Sequence, residues 1–149
     1  MIEPTESVAE LFAANPELAA KYEVFEQTLA DDAALGARHR AMCRLRIAAI
    51  HSCQEEWQAR PEGEVLTDAE LDALSRGDST AFANADQAVL TVAEAIPYDH
   101  HGLTDEQIAE VRSHLGEAGT VALLTACAFH DVSCRWRLAL GPAKQEGDR

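Results

Sequence analysis

The chain has 149 residues, of which 47% are apolar, and this suits one domain of ordinary size spanning residues 1–149. Its formal net charge of −14 opposes nonspecific binding to nucleic acid or to an anionic membrane surface, because both carry the same sign. No apolar run reaches the length of a membrane-spanning helix, and the acidic start Met1-Ile2-Glu3-Pro4-Thr5-Glu6 lacks the basic and apolar parts of a signal peptide, so the expected compartment is the cytoplasm.

Alanine is abundant and Val and Ile are sparse, which favours helix over sheet. Val8, Leu11 and Phe12 suggest a short first turn. Asn15-Pro16-Glu17 opens a helix to about Ala30: Asn caps, Pro takes the first helical position and Glu meets the positive end of the dipole. Leu18, Tyr22, Phe25 and Leu29 give it an apolar stripe. A helix from about Ala37 to Ile50 carries Met42, Leu45, Ile47, Ala49 and Ile50, a face broad enough to be buried on several sides. Ser52 is placed to cap a helix beginning at Cys53 and ending near Arg60, before Pro61-Glu62-Gly63.

Thr67-Asp68-Ala69-Glu70 reads as a capping box for a helix to Arg76-Gly77. Another helix runs from about Asn84 to Ile96, with Pro97 as its stop. Thr104-Asp105-Glu106-Gln107 is a second capping box, opening a helix through Leu115, and Gly116 and Gly119 mark a tight junction. The last helix runs from about Glu117 to Leu140, stopped by Gly141-Pro142, with a frayed tail over 143–149. The whole is an all-α bundle of about six or seven helices, with its core over about 15–140.

Cys53 is the residue with the clearest chemical placement. A helix N-terminus presents unpaired N–H groups and positive potential, which favour a thiolate. A dithiol pair would put its second cysteine at position 56, but Glu56 stands there, and a carboxylate beside a thiolate opposes its ionisation. His51 lies two residues before Cys53. The last helix carries Cys127, His130, Asp131 and Cys134 on one face, so its packing against Cys53 would bring His130 or Cys127 to the thiol as a base or partner. The same face, with His51 or Cys53, could supply zinc ligands, yet no knuckle spacing supports this, and neither metal nor cofactor is assigned. In a reducing compartment the four cysteines are expected as free thiols.

Arg38, Arg40, Arg44 and Arg46 form a basic cluster that serves either salt bridges or an anion-binding patch for a small carboxylate. Glu56 beside Trp57 invites an acid–base role through desolvation, or a plain pairing with arginine. His100-His101 reads as a solvated loop pair.

The order of these pieces resembles the carboxymuconolactone decarboxylase/AhpD-like family. The resemblance rests on Arg40, Arg46 and Ala48, then Cys53-x-x-Glu56-Trp57-x-x-Arg60. It is extended by Gly63 through Asp68-Ala69-Glu70, by Phe82-x-x-x-Asp86-x-x-x-Leu90, and by Asn15-Pro16-Glu17-Leu18 upstream. Peroxidase-type members use a glutamate, two cysteines and a histidine as a proton relay. Here Ala41, Glu56 and Arg60 stand where the glutamate, the second cysteine and the histidine would be, so the chain looks like a divergent member that retains Cys53 alone.

The resemblance implies a homo-oligomer and a pocket beside Cys53. Cys53, Glu56, His51 and His130 would be its catalytic candidates, and Trp57, Arg60 and Arg44 would bind a small, anionic ligand. The implied activity is peroxiredoxin-like antioxidant or small-carboxylate chemistry. The alternative is a catalytically lapsed member acting as an oligomeric scaffold or ligand-binding protein.

Overall fold

A computed structural model describes residues 12–59 and 66–140. The described residues form six α-helices and no strand: α1 Pro16–Asp31, α2 Ala37–His51, α3 Gln54–Gln58, α4 Asp68–Arg76, α5 Asn84–Tyr98 and α6 Asp105–Leu140, with 3-10 turns at Ser79–Ala81 and His100–Gly102. The first turn read at Val8–Leu11, the end of the third helix at Arg60 and the tail beyond Leu140 lie outside the described residues.

The capping signals act as the sequence predicts. The Asn15 side chain accepts from the Leu18 N–H at 3.2 Å. Thr67 and Glu70 close a reciprocal capping box. Thr104 and Gln107 close the second, at 3.0 and 3.2 Å. Each box supplies partners for N–H groups that the first helical turn leaves open.

Two boundaries differ from expectation. α5 continues through Pro97 to Tyr98, because a proline in the last turn deprives only one carbonyl of its donor. Cys53 is the residue that caps α3 rather than its first helical residue, and Ser52 is the left-handed end of α2, at φ 53°. The Ser52 and Cys53 N–H groups fold back onto the Ala49 and Ala48 carbonyls at 3.1 and 2.9 Å, closing α2 in a Schellman-type turn. The chain therefore leaves α2 and enters α3 without a linker.

The core is built around α2, α5 and α6, whose mutual packing is the most extensive in the molecule. α2 is buried on two sides. Its Cys43, Ile47 and Ala48 join Val89, Val92, Leu123 and Cys127 in one cluster. Its Met42 and Leu45 join Leu74, Phe82 and Leu90 in another. α1 lies outside this core, attached through Tyr22 against Phe129 and Trp136, with ring centroids 4.8 and 5.4 Å apart. Half of its apolar stripe stays open, since Leu18 and Phe25 are 44% and 43% exposed.

α6 is broken at Gly116, whose φ of 72° and ψ of 179° belong to a region open to glycine and hardly to other residues. Three residues on, Gly119 lets the second half of α6 pass the Ala34 carbonyl; a Cβ there would lie 2.9 Å from that oxygen and 2.8 Å from Leu115 Cβ. Among the described residues no helix is long and apolar enough to cross a membrane.

Candidate functional site: the Cys53 helix and its clamp

α3 is held by its glutamate. Glu56 is 6% exposed, and a buried carboxylate needs partners. Arg137 of α6 donates to its Oε1 at 2.7 Å, and Arg44 of α2 donates to its Oε2 at 3.0 Å. Arg44 also reaches the carbonyls of Glu56, at 3.3 Å, and of Ala59. Ser133 donates to Glu56 at 3.4 Å, and Tyr22 of α1 donates to Ser133 at 2.7 Å. One carboxylate thus ties together α1, α2, α3 and α6. Burial pushes the Glu56 carboxyl up, but the Arg137 and Arg44 guanidinium groups more than reverse it, so Glu56 is held ionised below its ordinary range. Across this node, burial and the Glu56 charge raise the carboxyl of Glu26.

Cys53 lies at the start of α3, 1% exposed. The Cys134 thiol of α6 faces its sulfur. That contact is the largest influence on Cys53 and holds its thiol below the ordinary range; burial opposes it, and the Glu56 N–H adds to it without the geometry of a full capping hydrogen bond. Glu56 and Glu55 oppose ionisation by charge, Glu55 Oε2 lying 3.9 Å from the sulfur. The same contact pushes the Cys134 thiol well up, with burial adding to it. Of the two thiols, Cys53 is the more readily ionised. All four cysteines are free.

A cavity of about 510 Å³ opens beside Cys53, walled by Ala48, Ser52, Trp57, Leu71, Asp68 and Asp72 among others. No arginine lines it among the described residues, and its charged walls are acidic.

The other expected residues are distributed around this centre. His51 gives its Nε2–H to Asp131 at 2.6 Å, and Arg135 grips the same carboxylate at 3.1 Å. His130, half-buried near the Glu56 node, is pushed down to about 4 by burial; Glu56 opposes this and Arg44 adds to it, so His130 is neutral near pH 7. Trp57 packs against both core clusters and reaches the cavity. Arg44 faces Glu56 rather than the cavity, and Arg60 lies outside the described residues.

The remaining arginines of the cluster are also engaged within the chain. Arg38 binds Glu70 and Asp86 at 2.5 and 2.8 Å. Arg40 donates to the Asp32 and Leu35 carbonyls. Arg46 binds Glu94 at 2.7 Å. Arg38, Arg44 and Arg46 thus form salt bridges within the chain, and Arg40 binds backbone carbonyls.

The last helix does meet Cys53, but with Cys134 in place of His130 or Cys127. Cys127 instead faces Cys43 in the fully buried core. Cys43–Cys127, His51–Asp131 and Cys53–Cys134 advance together along both segments, so α2 and the end of α6 run in the same sense, and the match is set by that register. Sequence reasoning also passed over Tyr22, Ser133 and Arg137. The spacing of Ser133, Cys134 and Arg137 on one helical face was the available signal. Among the described residues no three His, Cys, Asp or Glu side chains form a group able to hold a metal.

No family model matches the chain, and no curated protein matches it in sequence. A solved structure does match in shape, with a TM-score of 0.77 over 98% of this chain and 100% of the other at 17% identity. It is a protein of unknown function from Agrobacterium tumefaciens, assigned provisionally as an antioxidant defence protein, AhpD. At that identity the likeness speaks for the backbone alone, and it shows that this chain has an AhpD-like helical fold.

Proposed function

We propose that the protein is a thiol-based antioxidant enzyme that reduces small hydroperoxides with Cys53 as the attacking thiolate. The observation that carries this reading is the placement of Cys53 at the start of α3, on the wall of a cavity, with its thiol held below the ordinary range. A thiolate is the form of cysteine that attacks a peroxide oxygen. The acidic cavity wall favours an uncharged hydroperoxide over a carboxylate. Glu56 serves as the anchor of α3 and not as an acid or base, since both its oxygens are bound to arginine. His51 is oriented by Asp131, while burial leaves His130 a weak base. Self-association, implied by the family resemblance, belongs to the same reading, and light scattering on the purified chain measures it.

The test is peroxide consumption with a dithiol reductant, comparing wild type, Cys53→Ser and Cys43→Ser. Loss of turnover in Cys53→Ser alone is the expected result. Alkylation of Cys53 against pH should also show a midpoint below that of an ordinary thiol, about 8.5. A midpoint at or above that value sinks the reading.

The locked Glu56 favours a second reading, a catalytically lapsed member kept as a scaffold or small-ligand binder. Equal peroxide consumption by wild type and Cys53→Ser would select it.

A further inference from the structure

Cys134 has no assigned role in that chemistry, yet its position is tightly specified. Ser133 and Arg137, one helical turn apart on α6, both bind the Glu56 carboxylate. Glu56 lies three residues after Cys53, so the clamp that fixes α3 against α6 also fixes Cys53 against Cys134. Both thiols are 1% exposed and belong to the same packed cluster. In the sequence they are far apart, and nothing resembling a Cys-x-x-Cys motif joins them.

We propose that Cys134 is the resolving thiol for Cys53, so that a disulfide between α3 and α6 replaces the one that Glu56 makes impossible within α3. The assignment rests on the reading of Cys53 as a peroxide-reactive thiol.

The Cys53 thiolate attacks the distal oxygen of the hydroperoxide; a sulfur–oxygen bond forms, the oxygen–oxygen bond breaks, and the alkoxide leaves and takes up a proton to give the alcohol. Cys53 is now a sulfenic acid, oxidised by two electrons. Cys134 sulfur attacks it, its thiol proton joins the departing hydroxide as water, and the Cys53–Cys134 disulfide forms. An external dithiol returns both residues to thiols by exchange. The neighbouring Cys43–Cys127 pair stays out of the cycle, since both residues are fully buried and neither lines the cavity.

The experiment uses the full chain and one equivalent of cumene hydroperoxide, followed by non-reducing peptide mapping. Chymotryptic cleavage after Phe129 separates Cys127 from Cys134. The expected product is a Cys53–Cys134 cross-linked peptide lacking two hydrogens, with Cys43 and Cys127 recovered as thiols. In Cys134→Ser, and in Cys134→Ala as a second variant, Cys53 should stop as a sulfenic acid trapped by dimedone. Wild-type Cys53 that accumulates as sulfenic acid, or joins a cysteine other than Cys134, overturns the assignment while leaving the reactive Cys53 standing. Cys53 that does not react in any form overturns both.

Discussion

The molecule holds two pairs of facing thiols, equally buried and differently placed. Cys43 and Cys127 meet between α2 and α6, enclosed by residues such as Ile47, Val89 and Leu123. Cys53 and Cys134 meet two helical turns further along α6, where α3 begins, a cavity opens and Glu56 anchors two arginines. In the deep pair, the hydrogen bond to Cys43 and then burial push the Cys127 thiol well up. Beside the cavity the Cys134 thiol is raised in the same way by its contact with Cys53, and Cys53, on the cavity wall, is the member that this contact lowers. Burial fraction alone does not decide what a cysteine can do. Each pair supplies a facing thiol, and what separates the two is the approach route beside Cys53.

The largest expected contrast is in alkylation. The deep pair should react only when the core opens globally, which for a stability of about 5 kcal/mol slows it by roughly four orders of magnitude relative to a locally accessible thiol. Mass spectrometry of each cysteine against time measures this, and equal rates at Cys53 and Cys127 would erase the distinction.

Glu56→Ala should come next. It removes the carboxylate that Arg44 and Arg137 share, at a cost of about 3–5 kcal/mol, and loosens α3 from α6. Urea melts should show the loss, and Cys53 alkylation should rise well before that of Cys127. A stable variant with unchanged Cys53 reactivity would show that the clamp does not position the thiol.

Gly119→Ala is expected to have the reverse specificity. Its Cβ would press on the Ala34 carbonyl and on Leu115, costing about 1–3 kcal/mol. Gly119 lies two turns before Cys127, so exchange at the deep pair should quicken more than at Cys53.

The smallest effect is in pH. The folded His130 titrates near 4 against an ordinary 6.5, so between these values the unfolded chain binds more protons. Its contribution is complete above about 6.5 and is lost as pH falls towards 4. For a half-buried ring we set this at about 1 kcal/mol after solvent screening. Thermal melts of His130→Gln should show a shallower decline over that range than wild type.

The helices were legible because their signals are local. Asn15-Pro16, the Thr67–Glu70 and Thr104–Gln107 boxes, and Gly116 each dictate a boundary through the backbone groups of their own turn. The thiol pairing was less legible. That Cys127, His130, Asp131 and Cys134 share a face follows from helical spacing, but which of them meets Cys53 depends on how far α6 slides along α2. Glu56 carried both of its possible roles in the sequence, and only the approach of Arg137 from 81 residues away separates them. Ser52 at positive φ was hidden for a related reason: glycine is the usual mark of such a turn, and serine gives no warning.

The Glu56 node also constrains how this protein could change. Replacing Glu56 with cysteine would complete a Cys-x-x-Cys sequence, yet it would remove the carboxylate that Arg44 and Arg137 share. A dithiol in α3 is therefore one substitution away in sequence, but at the expense of the clamp. Positions 44, 56 and 137 form a linked set, so the effects of their substitutions are expected to be non-additive.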